Sequence, residues 1–349
     1  MALACCHIEA RENEIIVVGT DLELTLRIVV PATVLEEGKA IIHAHQLLEA
    51  VMSQPSGTQI LLNVSAMMTF IDVGNYKARL TNMDINEYPQ VPKMDTNPCI
   101  KMNALDFKSL IMKTMFSVSK DDTRAEFTGV SMKVSQNGQI KMASTDGHRL
   151  SCVKTTANIC AALHPQFEEF GVIFPKKSLI EFNKFLTDNT DIEFGIDSSG
   201  KKIVVSFSNM TYYVTPIGSG KVQFPDYSKI IPSNIDHKAI VKRDEFMQML
   251  RRAAVFSNKM IGTVHLEMSN GKLEIHAIDS VRGEMHDYID AEYQGSGVKA
   301  GFNWQYIIDV LSVIDSDYVS FEVTDMDSPV LIHDVTTDTC DFLVMPMQY

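Results

Sequence analysis

One short pattern occurs three times in the chain, and it constrains the fold more than any other feature of the sequence. In each copy, a turn containing an aspartate joins two stretches of alternating apolar residues; the aspartates are Asp21, Asp146 and Asp279. They lie 125 and then 133 residues apart, whereas the units of a solenoid repeat about every 20–50 residues. A repeat of this length is a whole domain, so the sequence predicts three similar domains in a row.

The segments around these turns repeat as well. Each turn is followed by a short β run, an amphipathic segment (46–52, 176–186 and 304–313) and a meander of alternating strands. Repeats two and three also open with a strand and an amphipathic segment, at 104–118 and 244–256. Repeat one has no such opening. We therefore expect either a start further upstream or an incomplete first domain whose helix keeps uncovered apolar surface.

The length and composition agree with three globular domains. The chain has 349 residues, of which 45% are hydrophobic and 21% charged, too many for one core and enough for three. Proline-rich seams at 86–92 and 223–232 predict extended connectors and domains at 1–96, 97–235 and 236–349. No apolar run approaches the roughly 18–20 residues of a membrane span. The six cysteines have no disulfide or zinc spacing and indicate free thiols in a reducing cytosol.

Basic residues recur on the outer faces of the amphipathic segments. One interpretation is a solvated face stabilised by ion pairs, since Glu181 lies between two of the lysines. However, the chain has a formal net charge of −13, and a basic face on several equivalent helices indicates that positive charge is segregated onto one surface. The residues of this basic set are Lys108, Lys113, Lys177, Lys184, Arg243, Arg251 and Arg252.

Four segments together resemble the bacterial sliding clamps, the β subunits of the DNA polymerase III holoenzyme. They are Ser-Thr-Asp-Gly-His-Arg-Leu at 144–150, Phe-Pro-Asp-Tyr at 224–227, Gly-Phe-Asn at 301–303 with Tyr306, and Val-Met-Pro-Met at 344–347. Their order, their spacing and the triplication also agree, so the resemblance covers essentially the whole chain. It implies an α+β fold in which each clamp domain has two helices and two small antiparallel sheets. It also implies that two protomers join head to tail into a six-domain ring.

The resemblance implies a role at DNA. In this family the helices line the central hole, so the basic set defined above would face double-stranded DNA. Lysine and arginine attract phosphates without reading the base sequence. Enclosure rather than tight binding would then keep a homodimeric ring on the duplex and tether the replicative polymerase in the cytoplasm, at the nucleoid.

The resemblance also implies a peptide-binding groove between domains two and three. Its partners would be the polymerase III catalytic subunit, the clamp loader, other polymerases and repair proteins, which bind through short linear motifs. Lys229, Ile261 and the ending Gln348-Tyr349 depart from residues common in the family, which affects the expected affinity rather than the location. The expected wall comprises Phe127, Thr145, Gly147, His148, Arg149, Leu150, Pro225, Lys229, Ile230, Ile261, Asn303, Tyr306, Val344, Met345, Pro346 and Met347.

The resemblance places the dimer interface between domain one of one protomer and domain three of the other. An apolar pair after the first helix of domain three maps to Val255 and Phe256. The facing edge of domain one is expected near Lys77 and Leu80.

Other function classes are poorly supported by the residues. The Asp146–Arg149 segment has the residue types of an acid/base site, but the same turn in all three repeats favours a structural role. The Gly-Ser-Gly-Lys segment at 218–221 lacks the first glycine and the final Ser or Thr of a phosphate-binding loop. His43 and His45 have no evident third metal ligand. We therefore expect no catalysis, cofactor or metal, and the strongest rival is a triplicated protein-binding scaffold that does not encircle DNA.

Overall fold

A computed structural model describes residues 2–90, 96–187, 190–220, 222–232, 234–258, 261–269 and 271–347. These residues form antiparallel strands and five α-helices. They separate into two compact units, one comprising 1–104, 159–164 and 188–219 and the other 105–158, 165–187 and 220–349. None of the described helices is long and apolar enough to cross a membrane.

The first repeat contributes seven strands and one helix, with boundaries as follows: β1 Cys5–Arg11, β2 Glu14–Thr20, β3 Leu24–Pro31, β4 Gly38–His43, α1 Ala44–Met52, β5 Leu61–Val64, β6 Met68–Val73 and β7 Tyr76–Met83. The second repeat contains β8 Thr96–Asn103, α2 Ala104–Met115, β9 Gly129–Val134, β10 Gln139–Thr145, β11 Arg149–Thr156, β12 Asn158–Ile159, β13 Val172–Pro175, α3 Lys176–Phe185, β14 Asp191–Asp197, β15 Ile203–Phe207 and β16 Met210–Val214. The third contains β17 His237–Lys242, α4 Arg243–Ala254, β18 Thr263–Ser269, β19 Lys272–Asp279, β20 Gly283–Glu292, β21 Val298–Asn303, α5 Trp304–Leu311, β22 Tyr318–Val323, β23 Val330–Asp334 and β24 Cys340–Val344.

Each compact unit is built on one twelve-stranded sheet. In the first unit the strand order is β12-β8-β14-β15-β16-β3-β2-β1-β4-β7-β6-β5, and in the second it is β13-β9-β10-β11-β24-β23-β22-β17-β20-β19-β18-β21. The smaller sheets expected for single domains are thus joined across the repeats, by β3 with β16 in one unit and by β11 with β24 in the other.

The strand registers confirm that the three repeats are equivalent. The residue directly before the helix pairs with the first residue of an earlier strand in every repeat: His43 with Cys5, Pro175 with Gly129, and Asn303 with Thr263. Because this pairing fixes where each helix starts, helix positions can be compared across repeats by counting from the first residue.

Aromatic side chains fill the interior of the second unit. Phe107 of α2 lies 6.3 Å from Phe182 of α3 in an aromatic contact, and Phe246 of α4 lies 5.8 Å from Phe321 of β22. All four side chains are buried. Burial of one such ring contributes roughly 1.5–3 kcal/mol, which explains why the helices dock on the sheet.

The only α-helix described in the first repeat, α1, keeps an apolar stripe in solvent. Leu48, Val51 and Met52 are 54%, 39% and 73% exposed, whereas Ala50 is 8% exposed and packs with Ile71. This helix therefore has the exposed apolar surface that an incomplete first domain would leave, and the incompleteness of that domain stays a prediction.

The first proline seam differs from its prediction. Residues Ile85–Glu87 form a short 3-10 turn, because Asp84 accepts a hydrogen bond from the backbone N–H of Asn86. Tyr88 is then 8% exposed and donates a hydrogen bond to the carbonyl of Val18. The end of this seam lies outside the described residues, and the domain boundaries predicted from it remain a prediction.

Candidate peptide groove and basic helices

The aspartate turns are built alike in the three repeats. The carboxylate of Asp146 accepts hydrogen bonds from the backbone N–H groups of His148 and Arg149, at 3.0 and 3.1 Å. Asp21 accepts from the N–H of Leu24 at 2.7 Å, and Asp279 from that of Arg282 at 3.0 Å. Each carboxylate therefore accepts hydrogen bonds from backbone N–H groups in a turn. Asp146, the acidic residue of the segment that resembles an acid/base site, thus has a structural role.

An apolar cluster lies beside this turn in the second unit. Leu150, Leu331 and Leu343 are 2%, 2% and 1% exposed, with Tyr227 and Ile231 packed against them. Leu343 is directly opposite both Leu150 and Leu331 on its neighbouring strands, and residues opposite each other share a sheet face. We call these five residues the apolar cluster; it forms the floor beside which the expected groove residues lie.

The second proline seam covers one side of the apolar cluster. The ring of Phe224 lies 6.4 Å from Phe127 and 6.0 Å from Tyr227. The Tyr227 hydroxyl accepts a hydrogen bond from Cys152 Sγ at 3.5 Å. Burial first, and then the neighbouring Cys152, raise the pKa of Tyr227 above its usual range. The phenol therefore stays neutral, and Pro225, between these aromatics, is exposed.

Exposed apolar side chains form the rim. Ile230 is 48% and Met345 38% exposed, and both border a pocket of about 390 Å³. The remaining lining residues of this pocket are Lys229, Pro232, Asn234, Thr324, Ser328 and Pro329. A flexible thioether beside isoleucine and proline can repack around different apolar side chains.

Two backbone hydrogen bonds hold the C-terminal segment in place. The N–H of Met345 donates to the carbonyl of His148 at 2.8 Å, and the N–H of Met347 donates to that of Gly301 at 2.8 Å. Pro346 lies between them and has no N–H to contribute. The segment thus follows the aspartate turn on one side and β21 on the other, while Gln348 and Tyr349 lie outside the described residues.

Arg149 connects the aspartate turn to two helices. Its Nε donates to Asp146 at 3.0 Å, one terminal nitrogen donates to Asp309 of α5 at 2.5 Å, and the other to the carbonyl of Phe116, just after α2, at 2.6 Å. The guanidinium also lies 4.5 Å from the ring centre of Tyr306. The Arg149 side chain is only 11% exposed, so its donors bind the protein itself and leave little of it for a ligand.

The remaining expected wall residues lie around α5. His148 stacks on Tyr306 with ring centres 6.4 Å apart. Asn303 caps α5 by accepting from the N–H of Gln305 at 2.9 Å, and its side chain donates to the carbonyl of Ile261. Ile261 itself is 52% exposed. Thr145 is buried and its hydroxyl accepts from the N–H of Gly147, which has a φ of 90° that favours glycine.

Val344, an expected wall residue, points away from the apolar cluster, and its neighbour Leu343 lies in the cluster without having been predicted there. Val344 is fully buried and lies opposite Arg149 and Val330, which is the other face of β24 from the apolar cluster. Leu343 takes the position on the cluster face because successive strand residues alternate between faces. The alternation was visible in the sequence, but the parity of this strand was not.

A buried charge network continues the same sheet face. His333 Nε2 lies 3.1 Å from Asp341 and its Nδ1 lies 3.7 Å from Glu322. Lys154 binds Asp341, and Lys238 binds Glu322, both at 2.8 Å. Although burial opposes it, the two carboxylates raise the pKa of His333 to about 9. Hydrogen bonds from His333 and Lys238 outweigh the opposing effect of burial and lower the pKa of Glu322 to about 2. Sequence reasoning missed this network because its members come from five separate strands.

The basic set lies on three helices of the second unit. Lys108 and Lys113 are on α2, Lys177 and Lys184 on α3, and Arg243, Arg251 and Arg252 on α4; α1 and α5 contain no lysine or arginine. At least four of the seven form ion pairs: Lys113 with Asp315, Lys184 with Glu181, Arg243 with Asp244 and Arg252 with Asp287. The solvated-face interpretation therefore accounts for part of this charge.

The expected interface residues are placed at open positions in each unit. Val255 is 63% exposed and, with Phe256, borders a depression of about 690 Å³ also lined by Ala254, Ser257, Arg282 and Trp304. Lys77 is exposed on β7, whereas Leu80 is half-buried against the core of its own domain.

The chain matches three family descriptions in succession. They are the N-terminal, central and C-terminal domains of the DNA polymerase III β subunit, matched at residues 2–92, 101–226 and 228–348. Together these matches span nearly the whole sequence.

Individual relatives agree with these matches. The chain is 29% identical to the "Beta sliding clamp" of Pseudomonas aeruginosa over 95% of its own length and 88% of the relative, and 29% identical to that of Rickettsia bellii over 99% and 92%. It superposes with a TM-score of 0.92 on a crystal structure of the P. aeruginosa DNA polymerase III β subunit, with 25% identity, covering 100% of this chain and 93% of that one. A P. aeruginosa sliding clamp bound to griselimycin superposes with a TM-score of 0.90 at 25% identity, over 100% and 92%. This chain belongs to the family of the DNA polymerase III β subunit.

Proposed function

We propose that this chain is a DNA sliding clamp: a non-catalytic processivity factor that encircles double-stranded DNA and tethers the replicative polymerase. The observation that carries the proposal is the succession of three β-subunit domains along the chain. Relatives that share nearly its whole length are named as sliding clamps. The function needs no catalytic group, which agrees with an aspartate turn whose carboxylate is occupied by backbone donors.

Ring closure would pair β20 of one protomer with β7 of the other. β20 pairs with β19 along its length but with β17 only at Ala291 and Glu292. β7 pairs with β6 from Tyr76 to Thr81, but with β4 only further along, at 82–83. Both strands therefore have one open edge, which attracts another strand. β20 carries Glu284, Asp287, Asp290 and Glu292 where β7 carries Lys77 and Arg79, so the two edges have complementary charge.

The basic set would face the enclosed duplex. Contacts through lysine and arginine to phosphates carry no sequence information. At least four of the seven cations already have carboxylate partners, so the net attraction is modest. A ring that holds DNA by enclosure, with weak contacts along its inner wall, is free to slide.

The apolar cluster and its rim would bind short peptide segments of partner proteins. A peptide leucine or phenylalanine fits beside Leu150, Ile230 and Met345, where exposed apolar side chains border a buried floor. Lys229 adds a positive charge to this rim. The polymerase catalytic subunit, the clamp loader and other polymerases or repair proteins are the partners that such a groove serves.

Topological retention tests this function. The protein is loaded by its clamp loader onto a singly nicked circular plasmid, the complex is isolated by gel filtration, and the plasmid is then cut once. We expect the protein to stay with the circle and to leave after the cut, because a sliding ring escapes over free ends. A plasmid cut and capped with bulky protein blocks at both ends is the control and should retain it. Equal retention on open linear DNA, or no retention on the circle, would favour the protein-binding scaffold.

A further inference from the structure

The Arg149 contacts form a latch between two successive repeats. Arg149 is the third residue after Asp146 in the turn of the second repeat, and Asp309 is the sixth residue of α5 in the third. Their 2.5 Å ion pair has side chains that are only 11% and 26% exposed. An ion pair with this little solvent contact is screened less than one on the surface.

The same turn position in the third repeat is again an arginine. Arg282 is the third residue after Asp279, and its side chain donates to the carbonyl of Ser257, beyond α4, at 3.0 Å. This repeats the bond from Arg149 to the carbonyl beyond α2. Among the described residues, however, no carboxylate forms an ion pair with Arg282, so the contact corresponding to Asp309 has no counterpart within the chain.

The acidic residue that corresponds to Asp309 lies in the first repeat. Glu49 is the sixth residue of α1, the position that Asp309 has in α5. The two helices can be aligned residue by residue, because the same strand pair directly precedes each of them. Glu49 is 70% exposed and its only ion-pair contact among the described residues is His45, at 3.6 Å. Among the described residues, the third repeat therefore has a turn arginine without an acidic partner from a following repeat, and the first repeat has a helix acid without an arginine partner.

The two strand junctions inside the chain predict how these residues meet. In β3 with β16, the residue three after the aspartate, Leu24, lies opposite Val214; in β11 with β24, Arg149 lies opposite Val344. Val214 and Val344 both stand two residues before a proline at the end of a repeat's meander. In the first repeat the third strand of the meander is β7, so β7 of a second copy would take this place beside β20, next to Arg282.

We infer that Arg282 of one protomer forms an ion pair with Glu49 of the partner subunit, as Arg149 does with Asp309 within one chain. This inference rests on the proposed ring, because it places a second copy of the chain at the open edge of β20. The depression beside Arg282, bordered by Val255 and Trp304 and about 690 Å³ in volume, leaves room for α1 of that copy. Each closed ring contains two such latches, one at each subunit interface.

A charge-swap cycle tests the latch. Four proteins are compared by sedimentation equilibrium for their dimer dissociation constant: the parent, Arg282→Glu, Glu49→Arg and the double swap. Coupling between close interfacial charges is commonly worth at least about tenfold, so the two latches together should make each single swap weaken the dimer ~100-fold. The double swap should recover to within about tenfold of the parent. Glu181→Arg is the matched control: Glu181 is the sixth residue of α3 and pairs within its helix with Lys184 at 2.7 Å, so the dimer constant should not change.

The outcomes separate the latch from the ring itself. Recovery in the double swap supports the ion pair and cannot come from a folding defect of Arg282→Glu, because that substitution is still present. If the parent dimerises but the two single effects simply add in the double swap, the latch is wrong while the ring stands. If the parent is a monomer at all concentrations, the proposed ring itself is refuted.

Discussion

His333 should make the stability of this protein fall as the pH rises above neutrality. Its imidazole is held between Glu322 and Asp341, which raise its pKa to about 9 from the ordinary 6.5. Below pH 6.5 the histidine is charged in both the folded and the unfolded chain, so the network contributes its full stabilisation. Between pH 6.5 and 9 only the folded state keeps the proton, and the free energy of unfolding declines by about 1.4 kcal/mol per pH unit. The total loss from this one group is about 3 kcal/mol.

The test is urea unfolding of the parent and His333→Gln from pH 6 to 9.5 at constant ionic strength and protein concentration. Trp304, the single tryptophan, reports on the unit that contains the network. The stability difference between parent and variant should shrink by about 3 kcal/mol across this range. Asp341→Asn, which removes the nearer carboxylate, should reduce the total loss without abolishing it, because Glu322 remains. Equal slopes for the parent and His333→Gln, or an NMR titration of His333 with a midpoint near 6.5, would refute the reasoning.

Three further predictions concern the peptide groove, the DNA-facing surface and the subunit interface. Met345→Ala should weaken binding of a leucine-containing peptide by about 1–2 kcal/mol, since a truncated anchor leaves a void; calorimetry with Met326→Ala as an exposed-methionine control would measure it, and unchanged affinity would move the peptide site elsewhere. Replacing Arg251 and Arg252 with glutamine should reduce the slope of log affinity against log salt by about two if both contact phosphates; an unaltered slope would remove α4 from the inner wall. Phe256→Ala should cost roughly 1.5–3 kcal/mol per subunit interface if the Phe256 side chain is fully buried there. The mass should then shift toward monomer on dilution, and an unchanged dimer dissociation constant would place the interface elsewhere.

Local pattern was sufficient to predict much of this molecule. The apolar period of the segment at 104–118 predicts a helix, and the structure has one at Ala104–Met115. The three aspartate turns were predictable because each depends on a carboxylate and backbone N–H groups two or three residues away. These features depend only on residues that are close in the sequence, so the sequence alone is sufficient to predict them.

The sequence by itself determined the triplication and the main helices, because each of these depends on contacts over a few residues or on a motif that repeats. Only the tertiary structure decided that Leu343 rather than Val344 lies on the cluster face, since a shift of one residue in a strand reverses every side chain. It also decided the partners of Arg149 and His333: Asp309 lies 160 residues from Arg149, and Glu322 and Asp341 lie on the two strands that flank β23. Charge pairs of this kind depend on which strands become neighbours, and that is set by the packing of the whole sheet rather than by any local pattern.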